Sequence, residues 1–259
     1  KQRVELIYFD TQKTINRSAY AYAAGTDTIG AQLPSTVYRQ GGVNYVARYT
    51  GTFTDWFTLS AAYGKNRDSN SVLPGNTVDP LVQSDVDGQA LTTISAQKQG
   101  TIETRKTLRE FYRVDGDFYF DLLGKHHLRA GFDHEKTTLN HASIDTGPGA
   151  TGIAYVYHRP KFDPANPTAT DSNGVLGGVN YVEVSTNRFG GAPVHGVNEA
   201  WYVQDAWDIT PDLSLQLGIR NDKFTLDNLL GEQVLNLKNN WGPRIGVTWD
   251  PVGEGKDKI

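Results

Sequence analysis

The chain has 259 residues, 38% hydrophobic and 11% aromatic, with 27 Gly and neither Cys nor Met. Its 25 Lys and Arg stand against 29 Asp and Glu, a formal charge of -4 with no basic stripe, which excludes a nucleic-acid binder. No run of about 18 apolar residues occurs, which excludes a helical membrane protein, and the lack of Cys permits passage through an oxidising compartment.

The chain starts inside an alternating segment, Val4-Glu5-Leu6-Ile7-Tyr8-Phe9. It stops at Lys256-Asp257-Lys258-Ile259, just after a Gly-rich turn. Neither end reads as a natural terminus, and the chain is expected to be an internal piece of a longer polypeptide. The first hairpin is predicted over 43–66, with a turn at Thr54-Asp55-Trp56 and Phe57, Leu59, Ala61 and Tyr63 alternating with polar or small residues. A polar stretch at 67–100 has little periodicity and reads as a long loop. The second hairpin covers 103–142. Leu108, Tyr112, Val114, Phe118 and Phe120 share one face of its first arm, and Arg109, Arg113, Asp115 and Asp117 the other. Its turn is at 122–125, and Leu128, Ala130 and Phe132 oppose Arg129, Gly131 and Asp133 in its second arm.

Residues 143–196, rich in Gly, Pro, Asn and Asp, read as the largest loop, in which 153–158 and 181–185 could pair as an accessory hairpin. A third hairpin spans 197–228 with its turn at 210–212, where Leu213, Leu215, Leu217 and Ile219 alternate with Ser214, Gln216, Gly218 and Arg220. A loop at 229–239 leads to a strand at 240–250, in which Ile245 and Val247 oppose Arg244 and Gly246, and 251–255 closes it.

Alternation alone fits a sandwich as well as a barrel. Trp201, Trp207, Trp241 and Trp249 are read near strand ends, where the aromatic girdles of outer-membrane barrels lie, and this favours the barrel. Short turns at 54–56, 122–125, 210–212 and 251–255 then face the periplasm, and loops 67–100, 143–196 and 229–239 face outward. The predicted fold is all-β: part of an antiparallel up-and-down transmembrane β-barrel with long extracellular loops, in a bacterial outer membrane. Residues 1–259 are expected to form part of one barrel domain. Leu213, Leu215, Leu217, Ile219, Ile245 and Val247 are predicted to meet lipid.

Tyr202-Val203-Gln204-Asp205-Ala206-Trp207, followed by Leu213-Ser214-Leu215-Gln216-Leu217-Gly218-Ile219-Arg220-Asn221-Asp222, resembles the barrel repeat of TonB-dependent outer-membrane receptors. Asn240-Trp241-Gly242-Pro243-Arg244-Ile245-Gly246-Val247-Thr248-Trp249-Asp250-Pro251 resembles that family's following strand, with Trp249 where Tyr is usual. Gly124-Lys125-His126-His127-Leu128-Arg129-Ala130-Gly131-Phe132-Asp133 resembles another of its hairpins. These motifs cover about a quarter of the chain, and the large insertions look most like the Oar-like branch. The resemblance implies a wall of about 22 strands around a plug, and energy-coupled uptake powered through TonB. No plug motif or TonB-contacting box is present in these residues, so the plug domain and remaining strands would lie outside them. The implied partners are membrane lipid, the protein's own plug, TonB, and a small solute or peptide whose identity the sequence does not specify.

Candidate chemical sites are sparse. His126, His127, His134, His141, His158 and His195 lack the close spacing of a zinc site. Asp85 and Asp87 in a Gly-containing loop could hold calcium, although the further ligands of an EF-hand are missing. No catalytic motif occurs, so neither an enzyme nor a cofactor is expected. Arg109, Arg113, Asp115, Asp117, Arg129, Asp133, Arg220, Asp222 and Arg244 fall on predicted lumen faces. They could meet a plug and solute, or form an ion-pair ladder that holds strand register. Asp205 shares parity with Val203 and Trp207, and so points toward lipid unless a bulge intervenes. Loop 143–196 is expected to contact the ligand through Tyr155, Tyr157, His158, Phe162, Tyr181 and Phe189. A passive porin-like or structural outer-membrane barrel, and a soluble β-rich binding module, are the alternative functions.

Overall fold

The computed structural model describes residues 1–23, 25–86, 91–96, 99–148 and 152–251. They form strands over most of their length, with no α-helix among the described residues. The strands are β1 (Gln2–Asp10), β2 (Lys13–Ala23), β3 (Thr28–Gly41), β4 (Val43–Thr54), β5 (Phe57–Pro74), β6 (Val82–Val86) and β7 (Thr92–Thr93). They continue with β8 (Thr101–Asp121), β9 (Lys125–Asp145), β10 (Ile153–Arg159), β11 (Tyr181–Thr186), β12 (Arg188–Thr210), β13 (Leu213–Asp227) and β14 (Gln233–Trp249).

Ten strands make the main sheet, in the order β1-β4-β5-β8-β9-β12-β13-β14, with β2 and β3 joined to it through β3–β5 pairing. The apparent crossover between β1 and β4 is a break in a ladder and leaves the topology unchanged. Gln2↔Gly51 through Asp10↔Val43 and Lys13↔Gln40 through Arg17↔Thr36 keep one register, so β1 with β2 and β3 with β4 are the two arms of one long hairpin. The ladder breaks at Thr11 and at Gly41-Gly42, where Gly41 has φ 80° and a Cβ on Gly42 would lie 1.7 Å from the Arg67 carbonyl oxygen. Only glycine fits that approach. The main sheet is therefore an antiparallel meander of eight long strands, and it is open because β1 and β14 do not pair.

Several predicted loops are shorter than expected. β5 runs on to Pro74, β12 begins at Arg188 and β14 at Gln233, so 67–74, 188–196 and 233–239 are strand. The connection between β13 and β14 shrinks to 228–232. The hairpin of β2 and β3, unassigned in the sequence, is a further difference. Of the turn predicted at 251–255, 252–255 lie outside the described residues.

The expected accessory hairpin is present, since β10 pairs antiparallel with β11. It also recruits β6 in parallel, Tyr155↔Val82 through Arg159↔Val86, giving a four-stranded sheet β11-β10-β6-β7. The segment between β5 and β8 and the segment between β9 and β12 thus form one structure.

This chain is built inside out. Among the described residues only Ala154 and Ala200 are buried hydrophobics, whereas Asp115 is 3% exposed and Asp117 8%. Direct cross-strand partners share a face. One row runs Leu217↔Asp205↔Leu128↔Phe118↔Phe57, and the next Ile219↔Val203↔Ala130↔Gly116↔Leu59. This apolar face is largely bare: Leu217, Ile219, Ile245, Val247 and Val203 are all exposed. Trp241 to Trp249 covers about 27 Å along a strand, or about 21 Å at a 40° tilt, close to the apolar band of a membrane barrel.

Aromatic rings mark both margins of the band. Near the short turns, Phe57 stacks on Phe118 at 5.0 Å, and His126 lies between Phe120 and Trp207 at 4.8 and 5.1 Å. At the other margin Trp201 meets Trp241 edge-on at 5.0 Å across their common partner Asn221. The longer strands place these two residues mid-strand, away from the ends where the sequence reading put them. Charged pairs follow directly beyond: Lys65 with Glu110, His134 with Glu199 at 3.3 Å, and Lys223 with Glu199 at 3.0 Å.

Candidate functional site

The opposite face of the sheet carries the predicted charges. Register places Arg220↔Tyr202↔Gly131↔Asp115 in one row, Asp222↔Ala200↔Asp133↔Arg113 in the next and Gly218↔Gln204↔Arg129↔Asp117 beside them. Arg109 and Arg244 share this face, so all nine predicted residues stand on one side of the sheet.

Most of them are joined. Asp133 accepts from both Arg113, which grips it through two nitrogens, and Arg220 at 3.1 Å. Arg220 also holds Asp222 at 3.0 Å and lies 5.6 Å from the Tyr202 ring centroid. The Tyr202 hydroxyl donates to Asp115, which pairs with Arg129 at 3.0 Å. Arg129 reaches Asp117 at 4.0 Å, and Asp117 accepts from His127 at 2.8 Å. Gly131 makes room for this chain, because a Cβ there would lie 2.5 Å from Asp115 Oδ1 and 2.6 Å from the Tyr202 ring. Arg109 pairs separately with Glu135 at 2.5 Å. Arg244 has no ion-pair partner among the described residues and lines a cavity of about 250 Å³ with Arg129, Tyr202 and Arg220.

A second cavity, about 620 Å³, touches this face from β1 to β13, through Glu5, Arg48, Ser60, Arg113, Asp133, Asn198 and Arg220. Flat strands about 4.8 Å apart would spread those residues over about 29 Å, so the sheet curls around its polar side. The arrangement suits a curved polar wall of alternating charge. No three metal ligands converge among the described residues.

The aromatic candidates are divided. Tyr155 and Tyr157 lie on one face of the accessory sheet, while His158 and its partner Tyr181 lie on the other. Phe162 sits in the connection between β10 and β11, half exposed, and Phe189 lies on β12 against His141 at 5.2 Å. Sequence reasoning missed Asp171, which binds the Tyr181 hydroxyl at 2.6 Å and accepts from the Asn173 and Val175 amides. The Tyr181 hydroxyl, then the Val175 amide, hold the Asp171 carboxyl below its usual range. The signal was the Asp171-Ser172-Asn173-Gly174 turn, which marks a local loop anchor. Of the calcium candidates, Asp85 is engaged by His158 at 2.9 Å, and Asp87 lies outside the described residues.

Asp205 does lie on the apolar face, and no bulge diverts it. It meets His126 at 2.7 Å, and His126 in turn reaches the Leu122 carbonyl at 2.9 Å. His126 sits beside a short turn, and Asp205 stands directly across from Leu217 and Leu128, so the pair carries a polar contact into the apolar face.

Residues 3–228 match the family model described as an outer membrane beta barrel domain. The chain belongs to this family. It is an outer-membrane β-barrel protein, which accounts for the bare apolar face. Over 58 residues it is 40% identical to the TonB-dependent transporter Oar of Myxococcus xanthus, covering 22% of this chain and 6% of that protein. Two solved structures are similar: the siderophore receptor PiuA from Acinetobacter baumannii, at 13% identity and TM-score 0.45, and the outer membrane transporter YddB from Escherichia coli, at 11% and 0.45. The chain is covered to 97% and 98% and spans 38% and 36% of those structures. It therefore spans well under half the length of each relative.

Proposed function

We propose that residues 1–259 are part of one transmembrane barrel domain, the wall of an outer-membrane transporter that takes up a solute by an energy-coupled route through TonB. The apolar face meets lipid. The ion-paired face is the lumen wall against which a plug and the solute would rest, and catalysis has no part in it. One observation carries this reading: the exposed, continuous apolar face stands opposite an ion-paired polar one. A soluble module would need a second layer to cover the apolar face. The partial likeness to a TonB-dependent transporter supports the coupled route over a passive one. Mixed-sign pairing on the polar face fits a wall held in register, since each cross-strand opposite-charge pair contributes about 0.2–1 kcal/mol.

Planar-bilayer conductance of the full-length protein separates the routes. A plugged transporter gives no steady current until urea loosens the plug. Steady open channels in native buffer would establish the passive pore instead.

A further inference from the structure

The four-stranded accessory sheet is assembled from two segments that enter the main sheet separately, one between β5 and β8 and one between β9 and β12. His158 sits at their junction. Its Nδ1 lies 2.9 Å from Asp85 Oδ2 on β6, and its Nε2 lies 3.2 Å from Glu183 Oε2 on β11. Carboxylates only accept hydrogen bonds, and a neutral imidazole has only one N–H to give. The imidazolium alone satisfies both partners. The ring also stacks on Tyr181 at 4.6 Å, and its side chain is 12% exposed, so water competes poorly for either nitrogen.

We propose that His158 is a proton-operated clasp between these two outer segments: protonated, it ties β6 to the β10–β11 hairpin, and on losing its proton it loosens that tie. Among the described residues, the groups that face or flank it are Asp85 on β6, Glu183 and Tyr181 on β11, Arg159 next on β10, and Asp171, which binds Tyr181 and feels the His158 charge. β7 contributes only Thr92 and Thr93. Burial disfavours the charged ring, but the hydrogen bonds to Asp85 and Glu183 outweigh it, and the His158 pKa is raised. A group raised in the closed state stabilises that state fully below its ordinary value of about 6.5 and loses the effect as pH rises through the raised value. The clasp therefore holds in acid and slackens as pH rises through that raised value. The five parallel pairs between β6 and β10 persist as a weaker tie.

Hydrogen exchange of the full-length protein in detergent micelles between pH 5 and 9, corrected for intrinsic rates, tests this. Protection of the β6 amides in the wild type is expected to fall with rising pH, about tenfold for each unit by which the closed-state pKa exceeds the ordinary one. H158Q, which cannot titrate, gives a flat profile. D85N removes one carboxylate and moves the wild-type midpoint to lower pH. A flat wild-type profile, an unchanged pH response in H158Q, or an unmoved midpoint in D85N would each overturn the clasp.

Discussion

Leu217 and Gln216 are chain neighbours with opposite environments. Leu217 sits mid-band on the exposed apolar face, in one row with Leu128 and Phe118, while Gln216 points to the polar side. Replacing Leu217 by Arg is expected to cost about 2–4 kcal/mol in a urea titration of the protein folded in liposomes, and Gln216 by Arg far less. Equal costs would refute the facing. On the polar side, D133N leaves two guanidinium groups, Arg113 and Arg220, without their shared carboxylate, whose side chain is 18% exposed. The expected loss is about 1–3 kcal/mol. E135Q, at the more exposed pair with Arg109, should cost under about 1 kcal/mol. The same titration checks both. These facings were legible because a period of two assigns every side chain to a face. Asp205 was legible only as a misfit, since its partner His126 is 79 positions away and emerges only from the register of β9 against β12.

Among the elements, the hairpins around 54–56, 122–124 and 211–212 were readable, and the strand extensions were not. The reason is physical. Lipid makes one face apolar, so alternation marks a strand only within the membrane. In 67–74, 188–196 and 233–239, and in the β2–β3 hairpin, both faces meet water and the pattern fades. The parallel pairing of β6 with β10 brings together residues about 73 apart in the chain and leaves no local trace. The connection 160–178 permits a clean excision, because the Gly178 amide donates to the Pro160 carbonyl at 2.9 Å and its two ends are already adjacent. Deleting it from the full-length protein is expected to leave membrane insertion, read by heat-modifiable gel mobility, unchanged. Solute binding or uptake should fall. Uptake at the full wild-type rate would make this segment a cap and place the contact surface elsewhere.

At the scale of the whole molecule, stability has to come from a source other than an apolar core, since the described residues bury almost no hydrophobic side chain. Backbone ladders, cross-strand ion pairs and the membrane itself take that place. The central claim is that this meander of eight long strands is a barrel wall with lipid on its apolar face and water on its polar face. These 259 residues have no Cys, so single cysteines placed from Leu213 to Arg220 in a full-length protein freed of any cysteine elsewhere report each position without background. Labelling in native membranes with a charged, water-soluble maleimide is expected to alternate: strong at Ser214, Gln216, Gly218 and Arg220, weak at Leu213, Leu215, Leu217 and Ile219, with a lipid-soluble maleimide giving the inverse. Uniform labelling along this segment, or the opposite parity, would contradict the account.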